Sequence, residues 1–65
     1  MTGQGDTPRE VFFEFTQVGP VVRVAAIDAT TNVEVVVMGP ANAAQSDLKR
    51  LALQKLEARL AAGRG

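Results

Sequence analysis

The chain contains no cysteine, histidine, tryptophan or tyrosine, and its single serine is Ser46. Each absence closes a class of function. Without cysteine there is no disulfide to staple a small domain, and without cysteine and histidine the usual structural zinc sites are excluded. Acid–base and nucleophilic catalysis near neutral pH loses most of its usual side chains, and Ser46 has no imidazole to activate it. The carboxylates are scattered along the chain, so no paired-acid site is in view. The composition reads as that of a protein without enzymatic activity, holding no metal and no cofactor. No apolar run approaches the roughly 20 residues that span a bilayer. Residues 1–8, MTGQGDTP, carry neither the basic start nor the apolar stretch of a signal peptide. A cytoplasmic protein with no membrane contact is the expectation.

Charge of one sign is also missing: seven basic residues balance seven acidic ones. The distribution is less even than the total. Asp6, Glu10, Glu14, Asp28 and Glu34 outnumber Arg9 and Arg23 over residues 1–45. Lys49, Arg50, Lys55, Arg59 and Arg64 outnumber Asp47 and Glu57 over residues 46–65. An acidic half and a basic half that pack together account for this pattern. A nucleic-acid footprint shows a basic excess over the whole domain instead.

What is present is a small set of strong local signals. EVFFEFTQV, Glu10 to Val18, is rich in aromatic and β-branched residues and is ended by Gly19-Pro20. VVRVAAID, Val21 to Asp28, is closed by the turn ATTN, and VEVVVM, Val33 to Met38, by Gly39-Pro40. Short connections imply an antiparallel meander. A two-residue turn at Gly19-Pro20 pairs residues whose numbers sum to 39, which sets Phe15 opposite Val24 and Phe13 opposite Ala26. A turn centred on Thr30-Thr31 gives a sum of 61 and sets Ala26 opposite Val35 and Val24 opposite Val37. Both registers place Val11, Phe13, Phe15, Val22, Val24, Ala26, Val33, Val35 and Val37 on one face. A slip of one residue would scatter that set.

The opposite face is mixed rather than polar. It carries Phe12, Ile27, Val36 and Met38 together with Glu14, Thr16, Arg23 and Glu34. An apolar group with a charged border is the signature of a contact surface.

A helix is expected from about Ser46 to Ala62, over a segment dense in good helix formers. Ser46 can cap it with Asp47 in the first turn, and Gly63 can end it; Asn42 with Gln45 offers an earlier capping box. At about 100° per residue, Asp47, Arg50, Gln54, Glu57, Ala61 and Arg64 form a narrow polar stripe. Leu48, Leu51, Ala52, Leu53, Leu56, Ala58 and Leu60 cover most of the remainder, more than one sheet can occupy. A second copy of the chain is the obvious source of the other surface.

Two site hypotheses compete with self-association. The segment from Gly39 to Ser46 has the order strand, glycine, helix start that often holds phosphate. Pro40 removes a donor there, Asp47 sits where an anion would, and the spacing of the known phosphate loops is absent. It reads as the joint between sheet and helix. Nucleic-acid binding would use Phe12 and Arg23 on the mixed face with Lys49 and Arg50 on the helix.

The motifs carry one resemblance. An aromatic-rich strand ending in Val18-Gly19, a second strand closing on Ala26 to Asp28, Gly39-Pro40 after the third, and the helix stretch from Leu48 to Glu57 resemble a family of small uncharacterised bacterial proteins, found mainly in alphaproteobacteria. The resemblance implies a βββα fold and transfers no activity and no functional residue.

The expected architecture is therefore α+β, a three-stranded antiparallel meander followed by one C-terminal helix and completed by dimerisation. Residues 1–9 read as a disordered tail, 10–62 as the domain and 63–65 as a C-terminal tail. The expected function is that of a homodimeric interaction module, with helix exchange between subunits as the favoured geometry and an unidentified protein as a further possible partner. Its candidate interface is Phe12, Ile27, Val36 and Met38 on the sheet with Leu48, Leu51, Leu53, Leu56 and Leu60 on the helix.

Overall fold

A computed structural model describes residues 10–63. The tail expected over residues 1–9 lies outside the described residues, as do 64 and 65. Three antiparallel strands, β1 (Val11–Val18), β2 (Val21–Asp28) and β3 (Glu34–Pro40), form one sheet in the order β1-β2-β3, and helix α1 (Gln45–Gly63) lies on one face of it. The α+β meander with a C-terminal helix is thus the fold. Both expected registers are present: Phe13 pairs with Ala26 and Phe15 with Val24, while Ala26 pairs with Val35 and Val24 with Val37.

The turns explain why the registers hold. Gly19 and Pro20 form a two-residue hairpin between the paired Val18 and Val21. Gly19 takes a φ of 60°, which is open to glycine, and proline at the next position has its φ already set. The second hairpin is longer and is organised by Asp28. Its backbone N–H donates to the Val33 carbonyl at 2.9 Å, and its carbonyl accepts from Asn32 N at 2.8 Å. Its carboxylate Oδ2 accepts from Thr31 N at 2.9 Å and Thr31 Oγ1 at 2.7 Å. Asn32 completes the reversal at a φ of 64°, a conformation that asparagine tolerates better than most residues. Asp28 is buried on the inner face, so its role here is to build the turn.

The inner face forms the core. Val22, Val24, Ala26 and Val35 are buried against Leu48, Ala52 and Leu56 of α1, spaced four residues apart along one side of the helix. Val11, Phe13, Val33, Val37, Ala41, Ala43 and Leu60 pack around them. Phe15, expected in this core, stays 36% exposed, because α1 makes its contacts almost wholly with β2 and β3.

Element boundaries differ from the sequence reading: β1 begins at Val11 rather than Glu10, and β3 at Glu34 rather than Val33. β3 runs through Gly39 and Pro40 instead of ending before them, with Val22 opposite Gly39 and Val21 opposite Pro40. Proline is tolerated because its nitrogen points to the open edge, away from β2. Gly39 lies beneath the first turn of α1, and a Cβ there would stand 2.5 Å from Leu48 Cδ2. The glycine is needed for close approach of the helix, a stronger requirement than ending a strand. The helix also starts one residue early, at Gln45, and includes Gly63, the last described residue. Ala44 occupies the N-cap position, its carbonyl accepting from Leu48 N at 3.2 Å. Among the described residues neither Ser46 nor Asn42 makes a side-chain hydrogen bond to the first turn.

Two stability changes follow from these placements. Gly39→Ala should lower the unfolding free energy by about 1–3 kcal/mol through overpacking. Chemical denaturation should show that loss shrinking in a Leu48→Ala background, because the two sites are in contact. Ala44→Ser should raise stability by about 1 kcal/mol by supplying the missing cap, read as a higher denaturation midpoint at unchanged slope.

Candidate interaction surface

The outer face is organised by the same pairings. Across the sheet its rows read Phe12, Ile27, Glu34; then Glu14, Ala25, Val36; then Thr16, Arg23, Met38; then Val18, Val21, Pro40. The apolar group is therefore a diagonal, from Phe12 through Ile27, Ala25 and Val36 to Met38, rather than a compact patch. Ala25 is fully buried although no helix covers this face. Larger neighbours on every side close over its methyl group, an effect of cross-strand crowding that alternation alone does not signal. Phe12 is 53% and Met38 62% exposed, while Ile27 and Val36 are half-buried.

The five helix positions proposed for an interface divide. Leu48 and Leu56 are buried on their own sheet, Leu53 and Leu60 are half-buried along its margins, and Leu51 is exposed. The wide apolar arc thus has one saturated side and a remainder facing away. Lys49 lies over the Phe13 ring with Nζ 5.1 Å from the centroid, an exposed cation–π contact on the β1 side of the helix. On the other side Lys55 Nζ donates to the Val36 carbonyl at 2.8 Å.

The nucleic-acid set does not converge. Phe12 and Arg23 share the outer face, but Arg23 stands opposite Thr16, four positions along β1 from Phe12, which is roughly 13 Å. Lys49 and Arg50 lie on the helix, on the far side of the sheet. Arg50 is paired with Asp47 at 3.1 Å. Among the described residues neither Glu14 nor Glu34 forms an ion pair with Arg23.

The loop between β3 and α1 behaves as a joint. Ala41 N donates to the Pro20 carbonyl at 2.8 Å and Ala43 N to the Pro40 carbonyl at 3.0 Å, so these amides are already occupied. An open hollow of about 290 Å³ near the end of α1 is lined by Thr31, Val33, Arg59, Leu60 and Gly63. Its wall is mainly apolar, with Arg59 the charged member, and it presents no nucleophile–base pair. Among the described residues no group of three or more acidic or histidine side chains is placed to hold a metal ion, and no helix is long and apolar enough to cross a membrane.

The comparisons with known proteins bear on this arrangement. No curated protein and no solved structure matches the chain. A family model described as Domain of unknown function (DUF6898) matches residues 8–63, a span that takes in all three strands, both hairpins and the whole of α1. The chain belongs to the DUF6898 family, a domain of unknown function.

Proposed function

We propose that this chain is a small non-catalytic interaction module that works as a homodimer, in the cytoplasm of an alphaproteobacterium as its motif resemblance suggests. One observation carries the reading. Among the described residues the exposed large hydrophobic side chains are Phe12, Phe15, Val18, Met38 and Leu51, and the first three all lie on β1. Phe12 and Val18 lie on the outer face, away from α1, and Phe15 lies on the inner face where α1 keeps to β2 and β3. A domain of this size buries only about 60% of its unfolded surface, so covering those side chains with a second copy adds apolar burial where a single core is marginal.

Association of intact subunits fits better than exchange of helices. Leu48, Ala52 and Leu56 are already buried on their own sheet, and the loop from Ala41 to Ala44 is held by two amide hydrogen bonds. Exchange would break those bonds and reopen the core to re-form the same contacts. Nucleic-acid binding has no comparable support, since Phe12 and Arg23 stand four positions apart along the outer face and Lys49 and Arg50 lie on the helix, on the other side of the sheet.

Light scattering behind size exclusion tests the reading over roughly a hundredfold range of concentration, because the dimer fraction follows mass action. The expected result is a species of twice the 6.9 kDa chain mass, little changed by salt. A monomer throughout, or retention on heparin that falls steeply with salt, would overturn it.

A further inference from the structure

We propose that the dimer forms by antiparallel pairing of β1 with the β1 of a second copy, Phe15 lying on the two-fold axis, so that both copies share one continuous sheet with their helices on the same face. The proposal rests on the self-association reading above and names its contact.

The two edges of the sheet are treated differently. The Glu10 carbonyl accepts from Ala29 N and the Val33 carbonyl from Asp28 N, which fixes the direction of every backbone group in the ladders. Val11, Phe13, Phe15 and Gln17 turn their N–H and C=O groups to the open edge of β1. Glu34, Val36 and Met38 do so on β3. At the β3 edge Lys55 occupies the Val36 carbonyl, and Pro40 has no N–H to offer. Both are devices that discourage strand addition. The β1 edge has neither. It contains no proline and no lysine, and among the described residues no side chain bonds to its outward backbone groups. Among the described residues this edge is open, and an open edge without such devices is a template for another strand.

Charge and side-chain pairing select both the occupant and the register. With Phe15 on the axis, Phe12 lies opposite the partner's Val18, and Phe13 opposite the partner's Gln17. Every exposed large hydrophobic of β1 is then covered by the pairing itself. On the outer face the row of Phe12 and Ile27 runs on into the partner's Val18 and Val21 as one apolar band. Glu14 lies opposite the partner's Thr16, one strand beyond which is the partner's Arg23. Two strand spacings, roughly 9.6 Å, are within reach of an arginine and a glutamate extended toward each other. Neither Glu14 nor Arg23 has an ion pair within its own chain among the described residues. The symmetric pairing would form this contact twice. Other registers lose these features: Glu14 on the axis sets Glu14 against Glu14, and Phe12 on the axis sets Glu10 against Glu14. Phe13 on the axis avoids like charges but leaves Val18 uncovered and places Phe12 against Glu14. An edge that is complementary to itself in this way selects a second copy over an unrelated strand.

The absence of native cysteine makes the register directly testable in the full chain. Glu14→Cys and Thr16→Cys chains are prepared separately, both positions being exposed, then mixed and exposed to a mild oxidant. Opposed residues at such a non-hydrogen-bonded position have Cα atoms about 4.5 Å apart, within disulfide range. The expected result is a disulfide-linked dimer from the mixture and little from either variant alone. Cross-linking of Glu14→Cys alone, or of Thr16→Cys alone, would place a different residue on the axis and overturn the register. A dimer by light scattering with no cross-link in any combination would overturn edge pairing while leaving self-association standing; a monomer by light scattering would remove both. As a second measurement, Glu14→Arg should weaken the dimer on the order of threefold to tenfold. Arg23→Glu in the same chain should restore it, whereas no recovery would exclude the contact across the axis.

Discussion

Both hairpins close on loops with an even number of residues, Gly19-Pro20 and Ala29 to Asn32, and everything else in this small protein depends on that parity. Even loops carry the alternation of side chains unbroken from strand to strand. Val22, Val24 and Ala26 therefore share a face with Phe13 and Phe15 on one side and Val35 and Val37 on the other. One residue more or less in either loop would turn a strand over and put its apolar side chains on the wrong face. Among the described residues the positive-φ backbone conformations, at Gly19 and Asn32, sit in these two loops. Strain-tolerant residues are spent where register is decided.

The sheet then determines how closely the helix can sit. Gly39 brings the backbone of β3 under Leu48, and α1 follows β2 and β3 from there with Leu48, Ala52 and Leu56 facing down. Ala26 and Ala52, both fully buried, hold the two layers close. The helix is drawn to one side of the sheet as a result. Lys55 reaches over the β3 edge, and β1 is left with only the flank of the helix and the Lys49 side chain above Phe13.

Strand order, register and the inner face were legible because they follow from local signals: period-two alternation and two turns whose residue types declare their lengths. The helix position was not legible. Its apolar residues are spread so widely that periodicity names no single buried side, and only the contact at Gly39 decides between Leu48 and Leu51. For the same reason Phe15 read as core, since its face is right but nothing in its neighbourhood tells where the helix stops. Ala25 was missed because alanine on a mixed face gives no signal until its neighbours are placed around it. The cap at Ala44 ran against propensity: Ser46 is the better capping residue, but the short joint from Pro40 delivers the chain into the helix before it. Of the candidate surface, the exposure of Phe12 and Met38 could be read from alternation, whereas the division of the leucines into covered and free could not.

The unequal edges have a consequence for how far assembly can proceed. A subunit with two open edges is a bifunctional monomer, and its polymerisation ends in a fibre. Under the edge pairing proposed above, this subunit would be monofunctional: Lys55 and Pro40 would act as a chain terminator on one side, and growth through the other would consume both reactive ends in a single step. A lysine whose hydrogen bond adds little to folding would then set the stoichiometry, keeping a β-rich, apolar chain out of the cross-β state.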